Sequence, residues 1–110
     1  MLLGSCAVLF GSCEEQLATE VVLELKDLKY FVTVYEANSF MRASISLATV
    51  QSNVSFRIRR LEEDLGATLF VRLRRGVKPT TKGDLFYRYA KDVLSKIEEA
   101  RNMVKKPNAA

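Results

Sequence analysis

The sequence predicts a mainly α-helical domain with three short helices and a two-stranded hairpin, followed by one long helix. Apolar residues recur at helical spacing in four segments, and the last of these is by far the longest. Two short β-prone runs flank a glycine-containing tip between the third and fourth helical segments. In this order, the elements are those of a winged helix-turn-helix followed by a long linker helix. A chain of 110 residues is sufficient for one such domain with a modest core.

Three helices are predicted between residues 25 and 65. The first begins near Leu25 and is closed by Asn38, and its inner face consists of Leu25, Leu28, Phe31, Val32 and Tyr35. Ser39 is a suitable N-cap for a second helix from about Met41 to Leu47, with Phe40 packed beneath it. A turn over residues 48–50 leads to a third helix from about Gln51 to Leu65.

The third helix separates into an apolar face and a polar, basic face. Val54, Ile58, Leu61 and Leu65 follow helical spacing and predict a buried stripe, while Ser52, Ser55, Phe56 and Arg59 lie opposite. In a major groove, Gln51 could bond bidentately to adenine, and the two serines could donate to phosphates or base edges. Arg57, Arg59 and Arg60 could neutralise backbone charge. The alternatives are that Gln51 and Ser52 only cap the helix and that the arginines are ordinary surface charges.

Phe56 is the unexpected residue of the polar face. An aromatic side chain there could contact a thymine methyl or pack under the wing. It could equally be partly buried against the first helix. The sequence leaves these alternatives open.

The two β-prone runs predict a small wing. Residues 69–72 and 77–80 would be its strands, and residues 73–76 its basic tip. We assign Arg75 to insertion into a minor groove and Arg74 to a phosphate contact. A solvated hairpin tip is the alternative.

The last helix is predicted from Lys82 to about Lys105, with Thr80 or Thr81 as its cap and Pro107 as its stop. Its apolar residues alternate steps of four and three, which is coiled-coil spacing and predicts homodimerisation. Packing against a further domain of the same polypeptide is the competing explanation. The predicted dimerisation residues are Phe86, Tyr89, Ala90, Val93, Ile97, Ala100 and Val104.

Charge and composition narrow the classes of function. Residues 37–82 hold nine bases against three acids, a net of +6, whereas residues 1–36 have a net of −4, with two bases against six acids. A basic centre of this kind predicts a polyanion-facing surface. The sequence contains no histidine and only two cysteines, Cys6 and Cys13, so neither a zinc site nor histidine-based catalysis is expected. We expect no enzymatic activity, no cofactor and no membrane span.

Residues 1–22 form an apolar and then acidic extension. They loosely resemble a secretory or lipoprotein signal with Cys13 as the acylated residue, but the positive start of such a signal is missing. We expect either a poorly ordered tail or a true translation start near Val21 or Val22, both of which a GTG codon can encode. Residues 14–22 could add a helical turn or two.

The sequence closely resembles the N-terminal DNA-binding domain of LysR-type transcriptional regulators from about Leu25 to Ala90. The residues that carry the resemblance, without a gap, are Leu28, Phe31, Ser39, Phe40, Ala43, Leu47, Gln51, Ser55, Ile58, Leu61, Glu62, Leu65, Gly66, Leu69, Phe70, Arg72, Thr80 and Gly83. The resemblance implies a winged helix-turn-helix, a dimerising linker helix and promoter binding. Phe56 departs from the family, because an arginine or polar residue often stands there, and Ser52 replaces a common proline.

We therefore predict a sequence-specific, dimeric regulator that binds double-stranded DNA at a palindromic promoter site in the cytoplasm. The predicted regions are an extension over 1–22, a DNA-binding domain over 23–81, a linker helix over 82–106 and a tail over 107–110. Ser39 and Thr80 complete the predicted DNA-binding set.

A small-molecule effector is expected only if an effector domain exists elsewhere in the polypeptide, and whether the chain is a fragment or free-standing stays open. The alternative function is a winged-helix module that binds protein and not DNA.

Overall fold

The computed structural model describes residues 23–105, which form four helices and a two-stranded antiparallel sheet. The expectations for residues 1–22 and for the tail over 107–110 lie outside the described residues. The elements are α1 (Leu25–Ala37), α2 (Phe40–Ser46), α3 (Gln51–Leu65), β1 (Phe70–Arg72), β2 (Val77–Pro79) and α4 (Thr81–Lys105). The predicted mainly α-helical fold, a winged helix-turn-helix followed by a long helix, is confirmed.

The start and end of α1 follow from local chemistry. The Glu24 N–H donates to the Asp27 carboxylate at 3.1 Å, which satisfies one of the amide groups that a helix start leaves without a partner. The helix ends where Asn38 adopts a left-handed conformation with φ 56°, which asparagine tolerates better than most residues. The predicted end of α1 at Asn38 is confirmed.

The helix-turn-helix is made by α2 and α3. The Ser39 hydroxyl oxygen accepts a hydrogen bond from the Arg42 N–H at 3.1 Å, so Ser39 is the N-cap that was predicted. Helix α2 begins at Phe40, one residue before the predicted start. The turn to α3 contains Ala48 at φ 55°, an uncommon conformation for a residue with a β-carbon.

The core lies between α1, α2, α3 and the wing, and Phe31 is at its centre. The fully enclosed Phe31 ring lies 5.2 Å from the Phe70 ring of β1 and 5.1 Å from the Phe86 ring of α4. From α3, Val54, Ile58 and Leu61 are buried as predicted, but Leu65 is 38% exposed. The prediction of a buried Leu65 was wrong: the residue is the last of α3, and the buried stripe of the helix ends one turn earlier, at Leu61.

The wing is held against α3 by hydrogen bonds from backbone N–H groups at the start of β1 to one side-chain carboxylate. Its register pairs Phe70 with Pro79 and Arg72 with Val77. The Glu62 carboxylate of α3 accepts from the Leu69 N–H at 2.8 Å and the Phe70 N–H at 3.2 Å. These bonds fix the start of β1 relative to α3, so the tip of the wing has a defined position beside that helix.

Two glycines allow the close approaches that complete the fold. At Gly76, with φ 86°, a β-carbon would lie 2.5 Å from the Asn38 carbonyl oxygen. At Gly83, in the first turn of α4, a β-carbon would collide with the Leu69 carbonyl oxygen. Both positions exclude a side chain because the wing packs directly on the end of α1 and on the start of α4.

Candidate nucleic-acid interface

Helix α3 presents one outward face, which we call the reading face and define as Gln51, Ser52, Ser55, Phe56 and Arg59. The buried residues Val54, Ile58 and Leu61 turn this face away from the core. Gln51, Ser52 and Arg59 are exposed, Phe56 is 52% exposed and Ser55 is half-buried. The face combines a bidentate amide, two hydroxyls, a guanidinium and one apolar ring, which suits a groove of a nucleic acid.

Arg72 joins the wing to the reading face, although it was not among the predicted site residues. Its guanidinium donates to the Ser55 hydroxyl oxygen at 3.2 Å and lies over the Phe40 ring at 4.3 Å. A sequence signal for this position existed, because alternation along β1 puts Arg72 on the same side as the buried Phe70. Arg72, Ser55 and Arg59 line a cleft between α3 and β1.

The wing tip carries the second basic group. Arg74 and Arg75 are exposed in the turn, which the Leu73 N–H closes by donating to the Gly76 carbonyl at 2.9 Å. Arg75 also lines an open cleft together with Ser39 and Arg42 from the start of α2. Arg42 is therefore a further basic residue beside the wing that sequence reasoning did not place in the site.

Arg57 does not belong to the reading face, and its predicted contact with nucleic acid is corrected. Its Nη1 lies 2.8 Å from an oxygen of the Asp27 carboxylate, which is 1% exposed, and the guanidinium lies 5.2 Å from the centre of the Tyr30 ring. The Arg57 side chain is only 18% exposed. The helical position of Arg57 turns it towards α1, where its charge balances a buried carboxylate.

Thr80 is also removed from the predicted set. Its hydroxyl donates to the Thr68 carbonyl at 2.6 Å and accepts from the Gly83 N–H at 3.0 Å, so it caps α4. A phosphate oxygen needs a donor, and the only hydroxyl donor of Thr80 is already used. The Ser39 hydroxyl, by contrast, acts as an acceptor in its cap and retains its own donor.

Phe56 and Arg60 form a pair on the outer side of α3. The Arg60 guanidinium lies 5.6 Å from the centre of the Phe56 ring, a cation–π distance. The structure excludes one of the alternatives for Phe56, burial against α1, because the side chain is exposed on the surface. Arg60 itself is half-buried.

The first half of α4 packs on α1 through a layer of aromatic and charged side chains. The Tyr35 and Tyr87 rings stack at 3.8 Å, and the Tyr87 hydroxyl donates to Glu36 at 2.6 Å. This bond lowers the pKa of Glu36 and raises the pKa of Tyr87 to about 12. On the other side of the stack, the Tyr35 hydroxyl donates to Asp84 at 2.7 Å, which raises the pKa of Tyr35.

Two of the predicted dimerisation residues pack within the chain. Ala90 is 1% exposed and belongs to the core of this chain, so the prediction for it is corrected, whereas Phe86 is half-buried and packs against Phe31. The remaining residues form an exposed apolar stripe along α4, which we define as Tyr89, Val93, Ile97, Ala100 and Val104. Their spacing keeps them on one side of the helix.

The described residues, 23–105, contain neither a group of acidic and cysteine side chains that could hold a metal ion nor a helix long and apolar enough to cross a membrane.

The fold and its surface define a winged helix-turn-helix domain with a polar reading face and a basic wing. Residues 25–84 match the family described as bacterial regulatory helix-turn-helix proteins of the lysR family. The match covers more than half of the chain, and the chain belongs to this family.

Named relatives are transcriptional regulators, which points to a non-enzymatic role. The chain is 42% identical to the HTH-type transcriptional regulator BenM of Acinetobacter baylyi over 84 residues. The aligned residues cover 76% of this chain and 28% of BenM. It is 44% identical to the regulator YofA of Bacillus subtilis over 78 residues, and this alignment covers 71% of this chain and 27% of YofA. The chain thus spans little more than a quarter of the length of either relative.

Solved structures of related DNA-binding domains share the fold. The BenM domain in complex with catB site 1 DNA superposes with a TM-score of 0.73 at 42% identity, covering 76% of this chain and 93% of that one. The CbnR domain in complex with DNA gives a TM-score of 0.73 at 30% identity, covering 76% of this chain and 95% of that one.

Proposed function

We propose that this chain binds double-stranded DNA as a homodimer, recognises a specific promoter site and thereby regulates transcription. The observation that carries the proposal is that the wing, which has two exposed arginines at its tip, is hydrogen-bonded to the reading face of α3 through Arg72 and Ser55. The reading face of α3 presents base-reading side chains, and the wing beside it presents Arg74 and Arg75. The BenM and CbnR domains, which share this fold, have been solved in complex with DNA, and this supports DNA binding by the present chain.

Each contact group has its own role in the proposal. Gln51, at the first turn of α3, reads a base edge in the major groove, and Ser52, Ser55 and Arg59 contact bases or phosphates. Arg75 enters the minor groove next to the site, and Arg74, Arg42 and Ser39 contact the backbone. Arg72 positions the wing relative to α3 through its bond to Ser55.

The exposed stripe of α4 supports dimerisation. In the single chain, large apolar side chains of the regular helix α4 remain exposed, namely Tyr89, Val93 and Ile97. A two-fold dimer through this stripe would cover it and present two reading faces to a palindromic site. The proposed boundary between the DNA-binding domain and the linker helix is at residues 81–82.

The remaining parts of the proposal follow from this role. A regulator of transcription acts where the chromosome is, so we assign the chain to the cytoplasm and the nucleoid. No enzymatic activity and no cofactor are part of the proposed function. An effector ligand belongs to it only through a further domain of the polypeptide.

A mobility-shift titration over a series of salt concentrations tests the proposal. The probes are promoter fragments and a random duplex of the same length. We expect selective retention of a promoter fragment, with a logarithmic salt slope of roughly −0.9 for each phosphate neutralised. The variant Arg74→Ala should lower affinity and reduce the slope, whereas Lys29→Ala, an equal loss of charge on α1, should change neither. Failure to retain any duplex at low salt would contradict DNA binding and favour the protein-interaction module.

A further inference from the structure

Phe56 is exposed in a position that the packing of the chain does not explain. Among residues 23–105, Phe56 and Tyr89 are the aromatic residues that are exposed, and Tyr89 lies on the apolar stripe of α4. Phe56 points in the opposite direction from the buried Val54 and Ile58 of its own helix. Single exposed apolar residues are common on protein surfaces, so its neighbours decide whether it has a role.

Those neighbours are the side chains of the reading face. Helical spacing puts Ser52 one turn before Phe56, and Arg59 and Arg60 one turn after it, on the same side of α3. The Arg60 guanidinium lies against the ring at 5.6 Å, which restricts the ring on one side. Phe56 is thus the one apolar side chain in the middle of an otherwise polar and basic face.

The chemistry of the ring limits what it can contact in a major groove. A phenyl group neither donates nor accepts strong hydrogen bonds, so a polar base edge covered by the ring would lose its water without gaining a partner. The major groove offers one apolar group, the C5-methyl group of thymine. The same methyl group is present in 5-methylcytosine.

We propose that Phe56 is a specificity-determining residue that reads the C5-methyl group of a pyrimidine in the major groove that α3 enters. This inference rests on the proposed function, because it requires α3 to lie in the major groove. Beyond the proposed function, it specifies which class of base Phe56 recognises, namely a pyrimidine with a C5-methyl group. A site occupied by thymine is preferred to one occupied by unmethylated cytosine.

Replacement of thymine by deoxyuridine tests the inference, because it removes the methyl group and leaves the base pair unchanged. A bound duplex is first selected from a randomised library, and each thymine in it is then replaced singly. We expect one position in each half-site at which the replacement weakens binding about fourfold, the effect of burying one methyl group. At that position, 5-methylcytosine should bind more tightly than cytosine by a similar factor.

Variants of the protein assign the effect to this side chain. Phe56→Ala should bind thymine and uracil duplexes equally at that position, and Phe56→Leu should keep part of the preference. Ile45→Ala removes an equally apolar side chain from the surface of α2, 73% exposed, and should keep the full preference. Circular dichroism should show that all three variants remain folded, since both side chains are exposed.

The outcomes separate the inference from the function on which it rests. If the selected duplex is bound but no thymine position responds to uracil, the inference is wrong while DNA binding stands. If Phe56→Ala keeps the preference, another residue reads the methyl group and the inference is again wrong. If the library yields no bound duplex, both the inference and the proposed function fail.

Discussion

The Arg57 guanidinium lies 2.8 Å from the carboxylate of Asp27, an acidic side chain that is almost completely buried at the start of α1. This ion pair connects the helix that would read DNA to the first helix of the domain. Asp27 also accepts from the Glu24 N–H, so one carboxylate both caps α1 and positions α3. The orientation of the reading face therefore depends on a pair of charges on its inner side.

Loss of Arg57 should lower the stability of the domain. Arg57→Ala leaves the Asp27 carboxylate buried without its cation, and we expect the free energy of unfolding to fall by about 3 kcal/mol. Urea unfolding followed by circular dichroism measures this change. Arg59→Ala removes an exposed arginine from the same helix and should change stability by less than about 0.5 kcal/mol. Equal stability of both variants would show that the Asp27 pair is not needed to hold α3.

The contact between Tyr87 and Glu36 should make the free energy of unfolding depend on pH in both the acidic and the alkaline range. Because the folded pKa of Glu36 is lowered, its contribution is present above the unfolded pKa and is lost as the pH falls through the folded value. Because the folded pKa of Tyr87 is raised from 10.0 to about 12, its contribution is fully present below the unfolded pKa and is lost as the pH rises above 10.0 through the folded pKa.

Tyr87→Phe removes the hydrogen bond to Glu36 and should weaken the pH dependence of folding stability at both acidic and alkaline pH. The urea midpoint of the native chain should fall more steeply than that of the variant between about pH 6 and about pH 3. Tyr89→Phe, a matched loss of a hydroxyl on α4, should retain the native pH profile. If the urea midpoints of the native chain and of Tyr87→Phe fall identically at acidic pH, this contact is not the cause of the pH dependence.

Gln51 should provide sequence specificity and contribute little to general affinity. Gln51→Ala is expected to weaken binding to the cognate site by about 1–3 kcal/mol, the value of a bidentate contact to a base. Binding to a random duplex should hardly change. Titrations of both duplexes at one salt concentration measure the difference. An equal loss on both would mean that Gln51 only orients α3 on the backbone.

The two arginines of the wing tip should differ in their dependence on flanking sequence. Arg75→Ala should lose about 1.5 kcal/mol of binding at sites with A/T-rich flanks, where the minor groove is narrow and negative, and less at G/C-rich flanks. Arg74→Ala is the matched variant and should lose affinity to a similar extent on both kinds of flank. The assignment of Arg75 to the minor groove is wrong if its loss is also independent of the flanks.

The apolar stripe of α4 should be the dimer interface. Ile97→Glu would bury a carboxylate without a partner and should weaken dimerisation by about 2 kcal/mol or more. Ser95→Glu adds the same charge on another side of α4 and should leave the dimer intact. Sedimentation velocity over a range of concentrations compares the two variants, and an unchanged dimer for Ile97→Glu would place the interface elsewhere.

The secondary structure of this protein was predictable because its signals are local. Apolar spacing, the serine before α2, Asn38 after α1 and the glycine in the wing tip each act within a few residues of themselves, so the order of helices and strands followed directly. The outward direction of Ser52 and Arg59 also followed from the spacing of Val54 and Ile58, whereas the sequence left the exposure of Phe56 open. The resemblance to LysR-type regulators rested on the same local residues.

Pairs of residues that are distant in the sequence decided the rest. Arg57 and Arg59 are both basic residues of α3, and only the position of Asp27, thirty residues earlier, makes one structural and leaves the other on the surface. Arg72 became part of the site because Phe40 and Ser55 lie beside the wing. Ala90 has coiled-coil spacing, yet it is buried because α1 reaches that part of α4.

By itself, the sequence determined the elements, their order and the polar character of the reading face, because these depend on periodicity and capping along one segment. Only the tertiary structure decided which basic residues of α3 and the wing are available for binding and which apolar residues of α4 remain exposed. The reason is physical: a side chain's exposure depends on what packs beside it, and for Arg57, Arg72 and Ala90 that partner comes from a different part of the chain.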